Sequence, residues 1–226
     1  MEKLNRKAWE GLAQFVLVLG ICIFLPAWSL RYWQGWLFYG VFTVSIVLIT
    51  AYLQENDPEL LRRRSSGGPG AEKEKKQKVI QSFMSLVFIG MLVFPGFDHR
   101  LHWSPEVPVY VVLIADGFVA LGMLIVFFTF RANTYTSATI EVDKGQTVTS
   151  TGPYAVVRHP MYAGALLLLL ALPPALGSWW GMLFFVPFLA GIIWRLTDEE
   201  KYLVKNLEGY ATYREKVRYR LVPGVY

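Results

Sequence analysis

The sequence predicts an all-α integral membrane protein: a helical bundle of four spans followed by a C-terminal apolar helical hairpin. Three observations support this prediction. Hydrophobic residues make up 54% of the 226 residues and charged residues only 17%, with a mean hydropathy of +0.36. Apolar runs long enough to cross a bilayer recur along the chain. Lys and Arg collect in the segments between these runs, where they are expected to set the orientation in the membrane.

The N-terminal region, residues 1–130, contains the four expected spans. They cover about residues 11–28, 37–53, 79–94 and 107–130. The first run follows several basic residues, as a signal peptide does, but it is long and lacks a clear small-residue cleavage site. We therefore expect it to be retained as a span. Cys22, the only cysteine in the sequence, lies within this run and is expected to pack against its neighbours.

A basic loop over residues 55–78 separates the second span from the third. It carries Arg62-Arg-Arg64 and four lysines around the flexible Ser65-Ser-Gly-Gly-Pro-Gly70. This loop is expected to set topology and to contact anionic lipid head groups, and a nucleic-acid partner is not expected. The positive-inside rule places both termini, this loop and the later 131–158 loop on the cytoplasmic side.

Ionisable residues also occur between and within the other spans. Asp98, His99 and His102 lie in the loop expected after the third span, but no further strong metal ligand lies nearby in the sequence. We expect a solvated interfacial turn there and no metal site. Asp116 lies within the fourth span, where a carboxylate should face other helices or a watery cavity. A structural hydrogen bond and a functional role are both open for it.

The C-terminal region, residues 131–226, begins with a polar loop over residues 131–158. Its Thr and Val residues favour extended backbone, so we expect an irregular loop with a short hairpin around residues 143–145. A helix from residue 160 to about 172 should be broken by Pro173-Pro174, and a return helix should reach about residue 195. An amphipathic helix is expected over residues 198–217, weakened at Gly209.

Two clusters of ionisable residues flank this hairpin. Pro160 suits the first turn of a helix, so His159 falls near the N-cap, and Tyr162 shares a face with it. The free N–H groups at the helix start and the planar guanidinium of Arg158 both favour an anion. Gly164 permits a close approach to the helix.

The second cluster lies at the end of the return helix. Glu199 and Glu200 could receive a cationic group, and Arg195, four residues before Glu199, can lie on the same face. Together the two clusters indicate an amphoteric ligand at the mouth of the hairpin. The spacing alone does not name that ligand.

Several motifs resemble those of the isoprenylcysteine carboxyl methyltransferase family, which shares a C-terminal signature with the phospholipid N-methyltransferases. They are Gly152-Pro-Tyr154, Arg158-His-Pro-Met-Tyr-Ala-Gly164, and Arg195 with Glu199-Glu200 and Leu203. The resemblance covers about residues 131–226. It implies a membrane methyltransferase that uses S-adenosyl-L-methionine. Among relatives, some carry longer acidic runs than the Asp198-Glu199-Glu200 of this chain.

The resemblance also implies roles for individual residues. It places His159, Tyr162 and Gly164 at the cofactor, together with Tyr154, Glu199 and Glu200. Arg158 and Arg195 resemble the arginines that hold a carboxylate acceptor, and Asn133 resembles a family asparagine near the substrate.

The expected acceptor is a lipophilic, isoprenylcysteine-like carboxylate that enters from the bilayer. An amine or phospholipid head group is the first alternative. A sterol-reductase-like enzyme using NADPH and a non-enzymatic membrane protein are further alternatives.

Overall fold

A computed structural model describes residues 2–65, 67, 70–72 and 74–226, and within these ranges the regular elements are all helical, as predicted. In chain order the α-helices are α1 (Glu2–Ala27), α2 (Trp33–Asn56), α3 (Pro58–Arg64), α4 (Lys75–Leu101), α5 (Val109–Ala132), α6 (Pro160–Ala175), α7 (Phe185–Asn206) and α8 (Tyr210–Lys216). Short 3₁₀ turns cover Gly152–Ala155 and Trp180–Phe184. Among the described residues, five helical segments are long and apolar enough to cross a membrane: Arg6–Ala27 of α1, the helices α2, α4 and α5, and the segment Trp180–Asn206.

The outer faces of these helices are strongly apolar. Large aliphatic side chains stay exposed along the bundle, including Leu17, Val18, Leu25, Leu48, Leu86, Leu113, Leu183 and Val186. Such a broad exposed apolar surface is unfavourable in water but matches the hydrocarbon of a bilayer. The chain is therefore a multi-pass membrane protein.

The third span is longer than predicted. α4 continues to Leu101, with Pro95 inside it, so the loop predicted from residue 95 onward is wrong up to that point. Membrane helices tolerate an internal proline because neighbouring groups satisfy the freed backbone carbonyl. The turn comes at His102, whose backbone is left-handed with φ 54°.

The apolar hairpin is present, with shifted ends. α6 runs through Pro173-Pro174 to Ala175 before Gly177 turns the chain with φ +72°. With 16 residues, α6 is about 24 Å long, shorter than a standard span. The return helix α7 passes residue 195 and ends at Asn206. The single amphipathic helix predicted over residues 198–217 is wrong, because Gly209, with φ +80°, separates α7 from α8.

The polar loop between α5 and α6 is irregular, as expected, but the predicted hairpin is not formed. Around residues 143–145 the chain makes only a turn, in which the N–H of Gln146 donates to the carbonyl of Asp143. Arginines of α3 bind carbonyls in the first part of this loop. Arg63 Nη1 donates to the Thr134 carbonyl at 2.8 Å, and Arg64 Nη1 donates to the Ser137 carbonyl at 3.2 Å.

The packing of the helices gives the bundle two distinct ends. α5 and α6 share the most extensive contact, while α1 packs on α4, α2 on α5 and α4 on α7. At one end, α3, the 131–158 loop, the start of α6 and α8 gather together. At the other end, Trp180 Nε1 donates to the Trp103 carbonyl at 3.2 Å. The two predicted charge clusters both lie at the first of these ends.

Candidate active site

A cavity of about 500 Å³ opens at the end of the bundle that holds the polar loop. One side is polar and includes Tyr154, His159, Tyr162 and Glu199. The other side is largely apolar and reaches between α4, α5, α6 and α7, where Met84, Val126, Ala165, Phe188 and Ile192 line it. Its volume falls within the range of about 300–1,000 Å³ that is usual for small-molecule sites. The cavity can thus bring a polar ligand next to an apolar one.

The first turn of α6 builds part of the polar side. Pro160 occupies the first helical position and His159 the N-cap position, as predicted. The rings of His159 and Tyr162 stack with their centroids 5.7 Å apart. The hydroxyl of Tyr162 donates to Glu199 Oε2 at 2.6 Å. The structure therefore brings together three of the residues predicted to bind the cofactor.

Glu200 faces a different set of partners from its neighbour Glu199. Arg158 Nε donates to Glu200 Oε1 at 2.6 Å, and Arg220 Nε donates to Oε2 at 3.0 Å. His159 Nε2 lies 3.3 Å from Oε1. Glu200 is only 2% exposed, and the charge of this buried carboxylate is compensated by these residues of the chain. The two consecutive glutamates thus lie in different surroundings, one at the cavity and one in a buried ion cluster.

Arg158 fastens the C-terminal tail as well as Glu200. Its Nη1 donates to the carbonyls of Val217 and Arg218 at 2.8 and 2.6 Å. The backbone N–H of Arg158 donates to the Tyr219 carbonyl at 2.9 Å, and that of His159 to the Arg220 carbonyl at the same distance. These contacts hold the tail against the start of α6.

Arg195 is buried and connects four segments of the chain. Its Nε donates to the Tyr162 hydroxyl at 3.1 Å, and its Nη1 donates to Gln77 Oε1 at 3.0 Å. Its Nη2 donates to the Ala138 carbonyl at 3.2 Å and lies 2.7 Å from Glu72 Oε1 as an ion pair. Every nitrogen of this guanidinium therefore has a partner within the protein.

Asn133 and Tyr154 meet at the base of the polar loop. Asn133 Nδ2 donates to the Tyr154 hydroxyl at 3.3 Å, and Asn133 Oδ1 accepts from the Tyr135 N–H at 2.9 Å. The Tyr213 hydroxyl donates to the Tyr154 carbonyl at 2.7 Å. Burial raises the pKa of Tyr154, so this hydroxyl stays protonated at neutral pH. Both residues line the cavity and shape its wall.

Gly164, which the resemblance placed at the cofactor, does not line the cavity. It lies where α5 and α6 cross, outside the residues that line the cavity. A Cβ at Gly164 would come within 2.8 Å of the Gly122 carbonyl oxygen and 3.0 Å of Ile125 Cβ. Gly164 does permit a close approach, as expected, but the approaching group is helix α5.

Several residues of this site escaped the sequence analysis. Arg64 lines the cavity although it was interpreted only as part of a topology-setting basic loop. Glu72 and Gln77 contact Arg195 from more than a hundred residues away in the chain. Arg64 and Glu72 lie within the basic loop between two spans, and partners so distant in sequence leave no local pattern.

At the opposite end of the bundle, the ionisable residues of the turn after α4 contact other residues of the protein. The carboxylate of Asp98 accepts hydrogen bonds from the N–H and hydroxyl of Ser104, at 2.8 and 2.6 Å, and from the hydroxyl of Ser178. The ring of His99 stacks on Tyr32 with centroids 4.2 Å apart. The part of the chain that the structure describes contains no group of three His, Cys, Asp or Glu residues able to hold a metal ion. Asp98 is therefore buried and stabilises the turn after α4, whereas a solvated turn was expected there.

Asp116 is buried in α5 with 4% of its surface exposed. Neither carboxylate oxygen has a hydrogen-bond partner within the described residues. The structural hydrogen bond considered for this residue is therefore not formed there.

Comparison with known protein families bears on the same part of the chain. Residues 110–209 match the family described as Phospholipid methyltransferase. The matched range contains all but the first residue of α5, the polar loop, α6 and α7, and so it includes most of the cavity wall. The match supports a membrane methyltransferase. No curated protein matches the chain.

Proposed function

We propose that this protein is an S-adenosyl-L-methionine-dependent methyltransferase that acts on a lipophilic acceptor. The observation that carries the proposal is the two-sided cavity within the region that matches the methyltransferase family. A polar side bearing Glu199, His159 and Tyr162 suits a charged cofactor. The apolar side between the helices suits the tail of an amphiphile from the bilayer.

The residues of the polar side fit the proposed cofactor. When bound, the cofactor supplies an activated methyl group on a cationic sulfonium. Glu199 is partly exposed to the cavity and offers a carboxylate to the cofactor's cationic groups. The stacked rings of His159 and Tyr162 offer a flat aromatic surface.

Protein groups would then act mainly by positioning. Met84, Val126, Phe188 and Ile192 would hold the acceptor's tail, which fixes its polar end beside the polar side of the cavity. Aligning two bound reactants lowers the barrier because translational and rotational freedom has already been lost on binding. A carboxylate acceptor needs no general base, so alignment would be sufficient for its methylation.

Arg158 and Arg195 receive positioning roles in this proposal. The resemblance implied that both hold an acceptor carboxylate. Arg158 already bonds Glu200 and two tail carbonyls, and Arg195 already contacts Glu72 and three neutral oxygens. Moving Arg195 to an acceptor would leave the buried Glu72 without its ion pair. Moving Arg158 would remove one of the two arginines that compensate the buried Glu200. Both changes are unfavourable. We infer that they fix the tail and the polar loop around the cavity.

An amine head group is the second candidate acceptor, and the phospholipid methyltransferase match favours it. An amine must lose its proton before it can attack a methyl group. Glu199 is the carboxylate that faces the cavity, and it would act as the base. His159, whose Nε2 lies 3.3 Å from Glu200, is the alternative.

Calorimetry with S-adenosyl-L-homocysteine on the detergent-solubilised protein tests the proposal. We expect binding in the micromolar range, as is usual for enzyme ligands. His159→Ala should weaken binding, whereas His102→Ala, on the opposite end of the bundle, should not. Binding of NADPH with no response to S-adenosyl-L-homocysteine would instead support the reductase alternative. Binding of neither would support a non-enzymatic protein.

The acceptor class follows from transfer of a labelled methyl group. A base-labile product from an S-farnesyl cysteine derivative indicates a carboxylate acceptor. A base-stable product from phosphatidylethanolamine indicates an amine acceptor.

A further inference from the structure

Arg64 is the last residue of α3 and reaches into the cavity. Its guanidinium lies over the ring of Phe130, 4.9 Å from the centroid. Its Nη1 donates to the Ser137 carbonyl at 3.2 Å and lies 3.6 Å from the sulfur of Met161. These contacts fix the side chain, yet all of them are with uncharged groups.

The other arginines around the site are each paired with a carboxylate. Arg63 Nε lies 2.8 Å from Asp143 Oδ2, Arg195 pairs with Glu72, and Arg158 and Arg220 share Glu200. Within the described ranges, Arg64 makes no ion pair with a carboxylate. Burial lowers the pKa of Arg64, because the protein around the guanidinium solvates its charge less well than water does. The cavity thus contains a fixed cation whose charge is not matched by an ion pair.

Arg64 also contacts residues next to the apolar side of the cavity. Phe130 and Met161, which it contacts, pack in the same apolar cluster as Val126, one of the residues lining that side. A ligand bound there would place an apolar tail against α5 and a polar end beside the guanidinium. An anionic amphiphile has this arrangement of groups.

We propose that Arg64 binds the anionic group, a carboxylate or a phosphate, of the amphiphile that occupies the apolar side of the cavity. The assignment of this amphiphile as the methyl acceptor rests on the proposed function. A guanidinium can bind either oxyanion through two parallel hydrogen bonds. In the carboxylate case the bound group would itself be the nucleophile. In the phosphate case it would anchor a lipid whose amine is methylated.

Binding preference tests this role without requiring turnover. Two anionic probes, an S-farnesyl thioether carboxylate and lysophosphatidic acid, are compared with two neutral probes, the matching S-farnesyl carboxamide and a monoacylglycerol. We expect the protein to prefer the anionic member of at least one pair by about tenfold, the order expected for a charge-assisted hydrogen bond. The pair that shows the preference identifies the anion.

Arg64→Gln should reduce that preference to about twofold or less. Arg64→Lys keeps the charge but loses the planar group that donates two parallel hydrogen bonds, so it should retain part of the preference. Arg62→Gln is the matched control, because Arg62 lies on the same helix, is exposed, and pairs with Glu59. It should keep the full preference. Thermal unfolding of each variant shows whether it is folded, and Arg64→Lys provides the test if Arg64→Gln is not.

Three results would overturn the role of Arg64. The first is that the unmodified protein shows no preference for the anionic probes. The second is that Arg64→Gln keeps the preference, and the third is that Arg62→Gln loses it to the same extent as Arg64→Gln. S-adenosyl-L-homocysteine affinity, measured in parallel, should stay within about twofold in Arg64→Gln. A large loss there would assign Arg64 to the cofactor and also refute the inference. Failure of the unmodified protein to bind S-adenosyl-L-homocysteine would refute the proposed function alone.

Discussion

Glu199 and Glu200 are adjacent in sequence, yet the structure gives them opposite expected responses to the same substitution. Changing either one to Gln keeps the shape of the side chain and removes its charge. Glu200 is buried against Arg158, Arg220 and His159, whereas Glu199 faces the cavity and bonds Tyr162. We expect Glu200→Gln to destabilise the fold and Glu199→Gln to weaken cofactor binding.

The sizes of these effects follow from the contacts. Breaking a buried ion pair by removing one partner costs about 3–5 kcal/mol. The side chain of Arg220 is 31% exposed, so solvent screens its share, and we take the lower value for Glu200→Gln, about 3 kcal/mol. For a chain of this size that corresponds to a loss of about 6–12 °C in Tm. Glu199→Gln still offers an oxygen to the Tyr162 hydroxyl, so its stability cost should be about 1 kcal/mol or less.

Two measurements on the same detergent samples separate the two effects. Thermal unfolding reports stability, and titration with S-adenosyl-L-homocysteine reports affinity. Glu199→Gln should lower affinity by about tenfold or more, because a charged hydrogen bond to the ligand contributes about 1.5–3 kcal/mol. A lower Tm for Glu199→Gln than for Glu200→Gln, with affinity lost only in Glu200→Gln, would refute the assignment of the two carboxylates.

Three further predictions concern other parts of the molecule. Arg195→Lys replaces three hydrogen-bonding nitrogens by one, so we expect a loss of about 2–4 kcal/mol in stability and reduced turnover. A variant that matches the unmodified protein in both assays would contradict this expectation. Gly122→Ala places a Cβ 2.6 Å from a backbone oxygen of α6 and should cost about 1–3 kcal/mol in thermal unfolding. Gly117→Ala, on the same helix with open space around it, should not destabilise. Gly70→Cys in a Cys22→Ser background should react with an impermeant thiol reagent only after cells are opened, and labelling of intact cells would reverse the expected orientation.

Much of the fold was predictable because the bilayer imposes a simple rule on the sequence. A long apolar run must be helical, since an unpaired backbone group is unfavourable in hydrocarbon. The spans were therefore recognised, while their ends were not. α4 extends to Leu101 through Pro95, because local propensity does not show which carbonyls neighbouring helices can satisfy. The hairpin predicted near residue 143 is absent, because strand propensity does not show what the side chains pack against: Val142 and Val148 pack against the cluster of Leu207, Tyr210 and Tyr213.

The candidate site was predictable only where its residues lie close together in the sequence. The relation between His159 and Tyr162 follows from helical spacing, and the structure shows their rings stacked. Gly164 fits the same motif, yet it faces α5, because a motif does not state which helix face meets the ligand. The pairing of Arg195 with Glu72 joins segments separated by more than a hundred residues and has no local pattern.

The distribution of charge around the cavity connects these contacts to function. Four arginines near the cavity form ion pairs with carboxylates of this chain, namely Arg63, Arg158, Arg195 and Arg220. Their charges therefore stabilise the fold and are not available to a ligand. Arg64 is held by neutral groups, and its charge is available to a ligand. On the polar side of the same cavity, Glu199 interacts with a neutral hydroxyl. Under the proposed function, Glu199 is the cavity side chain assigned to the cationic methyl donor, and Arg64 is the one assigned to the anionic group of the amphiphile.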